Sequence, residues 1–217
     1  MSKISDFTIS TPRPLPVIIL ADISGSMTDD GKIDALNVAV REMIRSFASG
    51  VRDLVEIHVS VITFGKDGAQ VHSELTPAAI ATWTPMVADG TTPLGAAIDL
   101  ATTMIEDKQK IPARAYRPVL VLVSDGEPND EWRGPLKRLL DSDRGSKADR
   151  FALAVGAGAG MDPLKEFLAN PAKQVLQASD ASMIPKFFRW VTMSVTARSK
   201  SATPNISISI DLDLDNF

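Results

Sequence analysis

Seven consecutive residues, Leu15-Pro16-Val17-Ile18-Ile19-Leu20-Ala21, are apolar without a break, and Asp22 ends the run. A run of this length reads as a strand buried on both faces, the kind that lies inside a parallel sheet. Two serines follow, Ser24 and Ser26, with Gly25 between them. A buried strand that stops at a carboxylate and two hydroxyls delivers oxygen donors to one point at the end of a sheet. That point is the natural place for a divalent cation, and the rest of the chain has to build the sheet and supply further donors.

The order of elements supports such a sheet. The polar turn Thr28-Asp29-Asp30-Gly31 leads into a helix over Lys32 to Ser49, with Ile33, Leu36, Val40, Met43, Ile44 and Phe47 on one face and Gly50 as terminator. Val55 to Phe64 reads as a strand. Gly65-Lys66-Asp67-Gly68 is a hairpin connection, so Ala69 to Leu75 pairs back as a polar antiparallel edge. Ala78 to Trp83 is expected to be a short helix. Thr92-Pro93 opens a helix to Glu106, with threonine at the N-cap and proline at N1. A second apolar strand, Arg117 to Ser124, ends at Ser124-Asp125-Gly126. Helix (131–140), strand (151–155), short helix (162–168), short strand (175–178) and a last helix (182–197) complete the alternation. It predicts an α/β, Rossmann-like, doubly wound fold: a mostly parallel six-stranded sheet with one antiparallel edge strand and helices on both faces. Residues 1–14 read as a polar lead-in, 15–197 as one domain, and 198–217 as an acidic alternating tail. The tail, Ile206-Ser207-Ile208-Ser209-Ile210-Asp211-Leu212-Asp213-Leu214-Asp215, reads equally as a strand added to a sheet edge or as a solvated extension.

Composition excludes several classes of function. The chain has no cysteine, so thiolate metal sites, disulfides and a cysteine nucleophile are out. Its 23 basic and 27 acidic residues leave a net charge of −4, which argues against a nucleic-acid groove or a polybasic membrane patch. The amino terminus lacks the layout of a signal peptide, and no apolar run is long enough to cross a bilayer, so a cytoplasmic location is expected.

In an open α/β sheet, ligands bind beyond the carboxyl ends of the strands where the strand order reverses. If the strands ending at Asp22 and Asp125 are neighbours there, both carboxylates reach one crevice, and the helix beginning at Thr92 opens into it. Asp22, Ser24, Ser26, Thr92 and Asp125 are therefore the candidate metal ligands. All are hard oxygen donors, suited to Mg2+, or to Mn2+ or Ca2+, rather than to zinc or copper. Neutral hydroxyls leave the charge of an ion uncancelled. With Ser24 and Ser26, and Thr92 as a further candidate, as direct ligands and the aspartates bonded to those hydroxyls or to bound waters, an open position would favour an anionic oxygen from outside.

Asp22-x-Ser24-x-Ser26 after an apolar strand, Gly90-Thr91-Thr92-Pro93-Leu94-Gly95, and Ser124-Asp125-Gly126 together resemble the von Willebrand factor A domain and its metal-ion-dependent adhesion site. The resemblance spans about residues 15–197. Within the family the chain looks most like the small bacterial TerY-like proteins of tellurite-resistance clusters, through Thr91-Thr92-Pro93-Leu94-Gly95-Ala96-Ala97 and Ser124-Asp125-Gly126-Glu127-Pro128-Asn129-Asp130. Some of those relatives carry a cysteine-rich zinc-binding extension, which this chain cannot form. The resemblance implies a non-enzymatic, metal-dependent protein-interaction module. Its ion would take an acidic residue of a partner, with kinase-like or phosphatase-like proteins encoded nearby among the partners, and its last helix would move on binding.

Other readings are weaker. Gly156-x-Gly158 after a strand lacks the third glycine of a dinucleotide fingerprint, since Met161 stands there, and close strand-to-loop packing explains the two glycines. His58 and His72 fall in strand patterns away from any nucleophile motif. Read singly, Thr92 and Asp125 are helix caps, and Asp29, Asp30 and Asp89 are solvated loop residues. The rival from another class is a metal-dependent phosphohydrolase with Asp22 as nucleophile. Such enzymes place a second acid two residues on, where this chain has Ser24. A third reading is an ion that only stabilises the fold.

Overall fold

The apolar strands divide their side chains between two cores. The computed structural model describes residues 11–49, 54–156 and 158–206. In β1 (Arg13–Asp22), Leu15, Val17, Ile19 and Ala21 face one layer of helices, and Ile18 and Leu20 face the other; all six are fully buried. In β4 (Val119–Ser124), Val119, Val121 and Val123 join the first core, and Leu120 and Leu122 the second. Burying an aliphatic side chain of this size contributes about 1.5–3 kcal/mol, so uninterrupted apolar runs are stable only when both faces are covered.

The covering helices fall into two layers. α1 (Lys32–Ser49) and the last helix, α5 (Ile184–Lys200), pack on the first face. α2 (Leu94–Glu106), α3 (Arg133–Asp141) and α4 (Met161–Leu168) pack on the second. The remaining strands are β2 (Val55–Gly65), β3 (Gly68–Pro77), β5 (Asp149–Val155) and β6 (Leu176–Ala178). The sheet order is β3-β2-β1-β4-β5-β6, parallel throughout except for the antiparallel β2–β3 hairpin. This is the expected doubly wound, mostly parallel six-stranded sheet with one antiparallel edge. From β1 the chain runs outward through β2 and β3, then returns to β4 on the other side of β1. The strand order therefore reverses between β1 and β4, and Asp22 and Ser124 are their last residues.

Some local expectations fail. Ala78 to Trp83 is not a helix; a turn over 78–80 gives way to an irregular segment. Asn37 of α1 holds that segment with its amide, accepting from the Met86 N–H at 2.7 Å and donating to the Met86 carbonyl at 2.9 Å. Met86 itself is buried in the first core. Tertiary anchoring thus overrides a weak local helix signal. β4 begins at Val119, two residues later than expected, and α5 begins at Ile184 after a short 3-10 turn over Ala181–Met183 capped by Asp180, whose carboxylate accepts from the Ser182 N–H at 2.9 Å. Residues 1–10 of the lead-in, Gly50 as helix terminator and the alternating tail from residue 207 lie outside the described residues. Among the described residues no helix is long and apolar enough to cross a membrane.

Candidate metal centre

Three segments meet at the carboxyl edge of the sheet. Asp22 is fully buried at the end of β1. Its Oδ1 accepts from the Ser24 N–H at 2.8 Å, and its Oδ2 accepts from the Ser124 hydroxyl at 2.5 Å. The first bond closes a tight turn at the strand end, as Asp side chains commonly do. The chain then enters a 3-10 segment over Gly25–Gly31. The hydroxyls of Ser24 and Ser26 lie 3.1 Å apart, and Ser26 donates to Asp125 Oδ1 at 2.7 Å. Ser24 and Asp125 are buried, while Ser26 is exposed and forms the open side of the cluster.

Thr92 arrives on a separate loop. Two residues earlier on that loop the Gly90 carbonyl accepts from the Gly25 N–H at 3.0 Å, and the Asp89 N–H donates to the Ile23 carbonyl at 2.7 Å, so the loop is laced directly to the serine turn. Thr92 is buried, and its Oγ1 would stand 3.4 Å from a Cβ placed on Gly126. All five sequence-predicted residues therefore converge. Thr92 does not, however, cap the helix it precedes. The cap position falls on Pro93, and the exposed amides of α2 are met from elsewhere: Asp130 accepts from Gly95 N–H at 2.9 Å and Ala96 N–H at 3.0 Å. With the Asn129 N–H donating to the Thr92 carbonyl at 3.1 Å, this ties the loop after β4 to the start of α2. Asp125 is likewise not a helix cap; its oxygens serve Ser26 and Lys32. Losing a carboxylate cap costs about 1 kcal/mol. Asp130→Ala should lower stability by about that much in a denaturant titration, and an unchanged midpoint would contradict the capping role.

Three further participants, Ser124, Asp130 and Lys32, lie outside the five candidate ligands. Along the chain Ser124 is only the neighbour of Asp125, yet it supplies the Asp22 hydrogen bond. Asp130 acts across 34 and 35 residues, which no local pattern reveals. Lys32 donates to Asp125 Oδ2 at 2.8 Å and to the Ser26 carbonyl at 3.2 Å. A signal for it exists: a lysine in the first turn of a helix opposes the helix dipole.

The residues fit a hard divalent cation. Two carboxylates and three hydroxyls form an all-oxygen set, and among the described residues no group of three or more His, Cys, Asp or Glu side chains offers a competing metal site. Asp22 also carries an electrostatic cost. Burial pushes its carboxyl up from 3.8 to about 6, against the lowering effect of the Ser124 and Ser24 hydrogen bonds, and with a smaller push from Asp125. A buried carboxylate in that condition is one that a neighbouring cation relieves. Close packing does not account for the two glycines of Gly156-x-Gly158: a Cβ on Gly158 would lie an ordinary 3.5 Å from the Asp125 carbonyl, and Gly156, whose N–H bonds to the Ala178 carbonyl at 2.7 Å, is favoured instead by its φ of +74°. His58 pairs with Glu56, and His72 bonds the Thr84 carbonyl and packs on Trp83; neither joins the site.

The fold is shared with solved structures. The mussel byssus proximal thread matrix protein 1, in a form described as having a zinc-occupied MIDAS motif, superposes with a TM-score of 0.64 at 15% identity, covering 86% of this chain and 48% of that one. The pilus adhesin SpaC of Lactobacillus rhamnosus GG, in an open conformation, gives 0.66 at 14% identity, covering 85% and 30%. A von Willebrand factor type A protein of Catenulispora acidiphila gives 0.59 at 17% identity, covering 85% and 43%. This chain thus spans less than half of each, and at these identities the likeness concerns the fold alone. No curated protein matches the chain. The von Willebrand factor type A domain model, by contrast, matches residues 17–190, which takes in β2 to β6, β1 from Val17 onward and all three segments of the cluster, and the chain belongs to that family.

Proposed function

We propose that this domain is a metal-dependent protein-interaction module whose bound cation, Mg2+ or a similar hard ion, coordinates an acidic residue of a partner protein. The observation that carries this reading is the convergence of Asp22, Ser24, Ser26, Thr92 and Asp125, with both aspartates already engaged by hydroxyls and only Ser26 facing solvent. A cation held there supplies a Lewis-acid position for an external carboxylate. The chain's own part is to position hydroxyl donors that leave that charge uncancelled. Ser26 Oγ is oriented by Asp125, and Ser24 is fixed by the turn that Asp22 closes.

The neighbours described as an adhesin and a byssus matrix protein are compatible with an interaction role. The TerY-like resemblance carries the reading further, to a cytoplasmic module of bacterial tellurite-resistance or stress-response clusters with kinase-like or phosphatase-like partners. A phosphohydrolase reading is disfavoured by Asp22, whose two oxygens are both hydrogen-bonded and whose side chain is fully buried, leaving it poorly placed to attack a phosphorus centre.

The test is a pull-down from soluble extract with magnesium and with chelator. Wild type should capture a partner only with magnesium, and Ser26→Ala should lose most of that capture while remaining folded in chelator, its melting temperature lowered only by the loss of the hydrogen bond to Asp125. Capture that is equal in chelator, or magnesium-dependent phosphate-ester turnover lost in Asp22→Asn, would overturn the proposal.

A further inference from the structure

Lys32 is the first residue of α1, where a cation opposes the helix dipole, and its side chain turns back toward the metal centre. The ammonium reaches Asp125 Oδ2 at 2.8 Å and the Ser26 carbonyl at 3.2 Å. The pair is largely withdrawn from water: the Lys32 side chain is 16% exposed and that of Asp125 is 0%. Gly156, just past the end of β5, is also close to the ammonium; a Cβ there would lie 3.9 Å from both Cε and Nζ. Lys32 thus bridges the serine turn and the β4 loop, two of the three segments that carry the candidate ligands.

We propose that Lys32 is a resident counter-cation of the metal centre. It keeps Asp125 and the Ser24–Ser26 turn assembled without metal, weakens divalent-cation binding by like charge, and leaves the loaded site cationic toward an acidic partner. This rests on the metal reading above. Asp22 and Asp125 contribute −2 and Lys32 contributes +1, so a divalent ion brings the site to +1. Without Lys32 the loaded site would be neutral and would have less attraction for an anionic ligand. The two effects oppose each other: removing the lysine strengthens metal binding and weakens the pull on the partner. A lysine that served only to brace the loops would behave differently, because its removal would disorder the donors and weaken metal binding.

The experiment is a calorimetric titration of the full chain with magnesium chloride, together with thermal melts in chelator. The proteins are wild type, Lys32→Met, Lys32→Arg and, as a metal-blind control, Asp22→Asn. Lys32→Met should melt lower in chelator and bind magnesium on the order of tenfold more tightly, as expected for removing one nearby charge from a partly solvated site. Lys32→Arg should stay near wild type in both. If Lys32→Met is too unstable to titrate, Lys32→Gln takes its place, since it keeps an N–H donor and loses the charge; the same tightening is required of it. Unchanged or weaker magnesium binding in the charge-removed variant, with wild type binding normally, overturns the role of Lys32 alone. Wild type that binds no magnesium overturns the metal reading itself, and the role of Lys32 with it.

Discussion

In chelator at pH 7.5, Asp22→Asn should be more stable than wild type by about 2–3 kcal/mol, and the gain should vanish near pH 4. The cause is burial, which raises the Asp22 carboxyl from 3.8 to about 6. The folded protein then holds this proton more tightly than the unfolded chain does. The associated stability is fully present below the unfolded value and is lost as pH rises through about 6. The loss amounts to roughly 1.4 kcal/mol for each pH unit separating the folded and unfolded values. Asparagine cannot ionise, so it escapes the penalty. It keeps the essential contacts, since its oxygen can accept from the Ser24 N–H and its amide can donate to Ser124 Oγ, whose proton can then turn to the Gly126 carbonyl, now 3.4 Å away. Magnesium should reverse the ranking by stabilising wild type and not the variant. Urea titrations at pH 4 and 7.5, with and without magnesium, supply the comparison. A variant less stable than wild type in chelator at pH 7.5 would refute this account of Asp22.

Gly90→Ala should cost about 3 kcal/mol or more and should weaken magnesium binding with it. Gly90 has φ of +91°, in the left-handed region that an alanine occupies only at a cost of about 1–2 kcal/mol. Space is the larger problem. A Cβ there would sit 2.2 Å from Lys66 Cα and 2.3 Å from Lys66 N, and backbone atoms cannot rotate aside as a flexible side chain does. The Asp89–Gly90 strip must move away from Lys66, which strains the Lys66 N–H bond to the Asp89 carbonyl at 2.9 Å and the Gly25 N–H bond to the Gly90 carbonyl at 3.0 Å. Gly25 stands between the two serines, so the site loosens as the loop does. Chemical denaturation reads the first effect and calorimetry the second; a variant with wild-type values for both would show that the close approach at Gly90 is dispensable.

Much of the fold is legible because its signals are local. Leu15 to Ala21 and Pro118 to Val123 are apolar at every position, and a strand covered on both faces is the element that uses such a run. The helices announce themselves through apolar steps of three and four, and Gly65-Lys66-Asp67-Gly68 marks the hairpin. The exceptions are places where distant contacts outweigh propensity. Asn37 and the core hold Met86, so the stretch around Ala78–Trp83 does not close into a helix. Asp130 caps α2, so Thr92 is relieved of that task and its hydroxyl is left for the cluster.

The sequence by itself determined the elements of the sheet and pointed to five candidate oxygen donors, because strand ends and Asp-x-Ser-x-Ser spacing are read along the chain, while the strand order that makes β1 and β4 neighbours is tertiary. Only the tertiary structure decided how those donors are held. The bonds from Ser124 to Asp22, from Lys32 to Asp125 and from Asp130 to α2 join residues 34 to 102 positions apart. Nothing in a local pattern encodes such pairings. They exist because parallel strands and crossover helices bring remote segments to the same edge, where a buried carboxylate must find a hydroxyl, an amide or a cation.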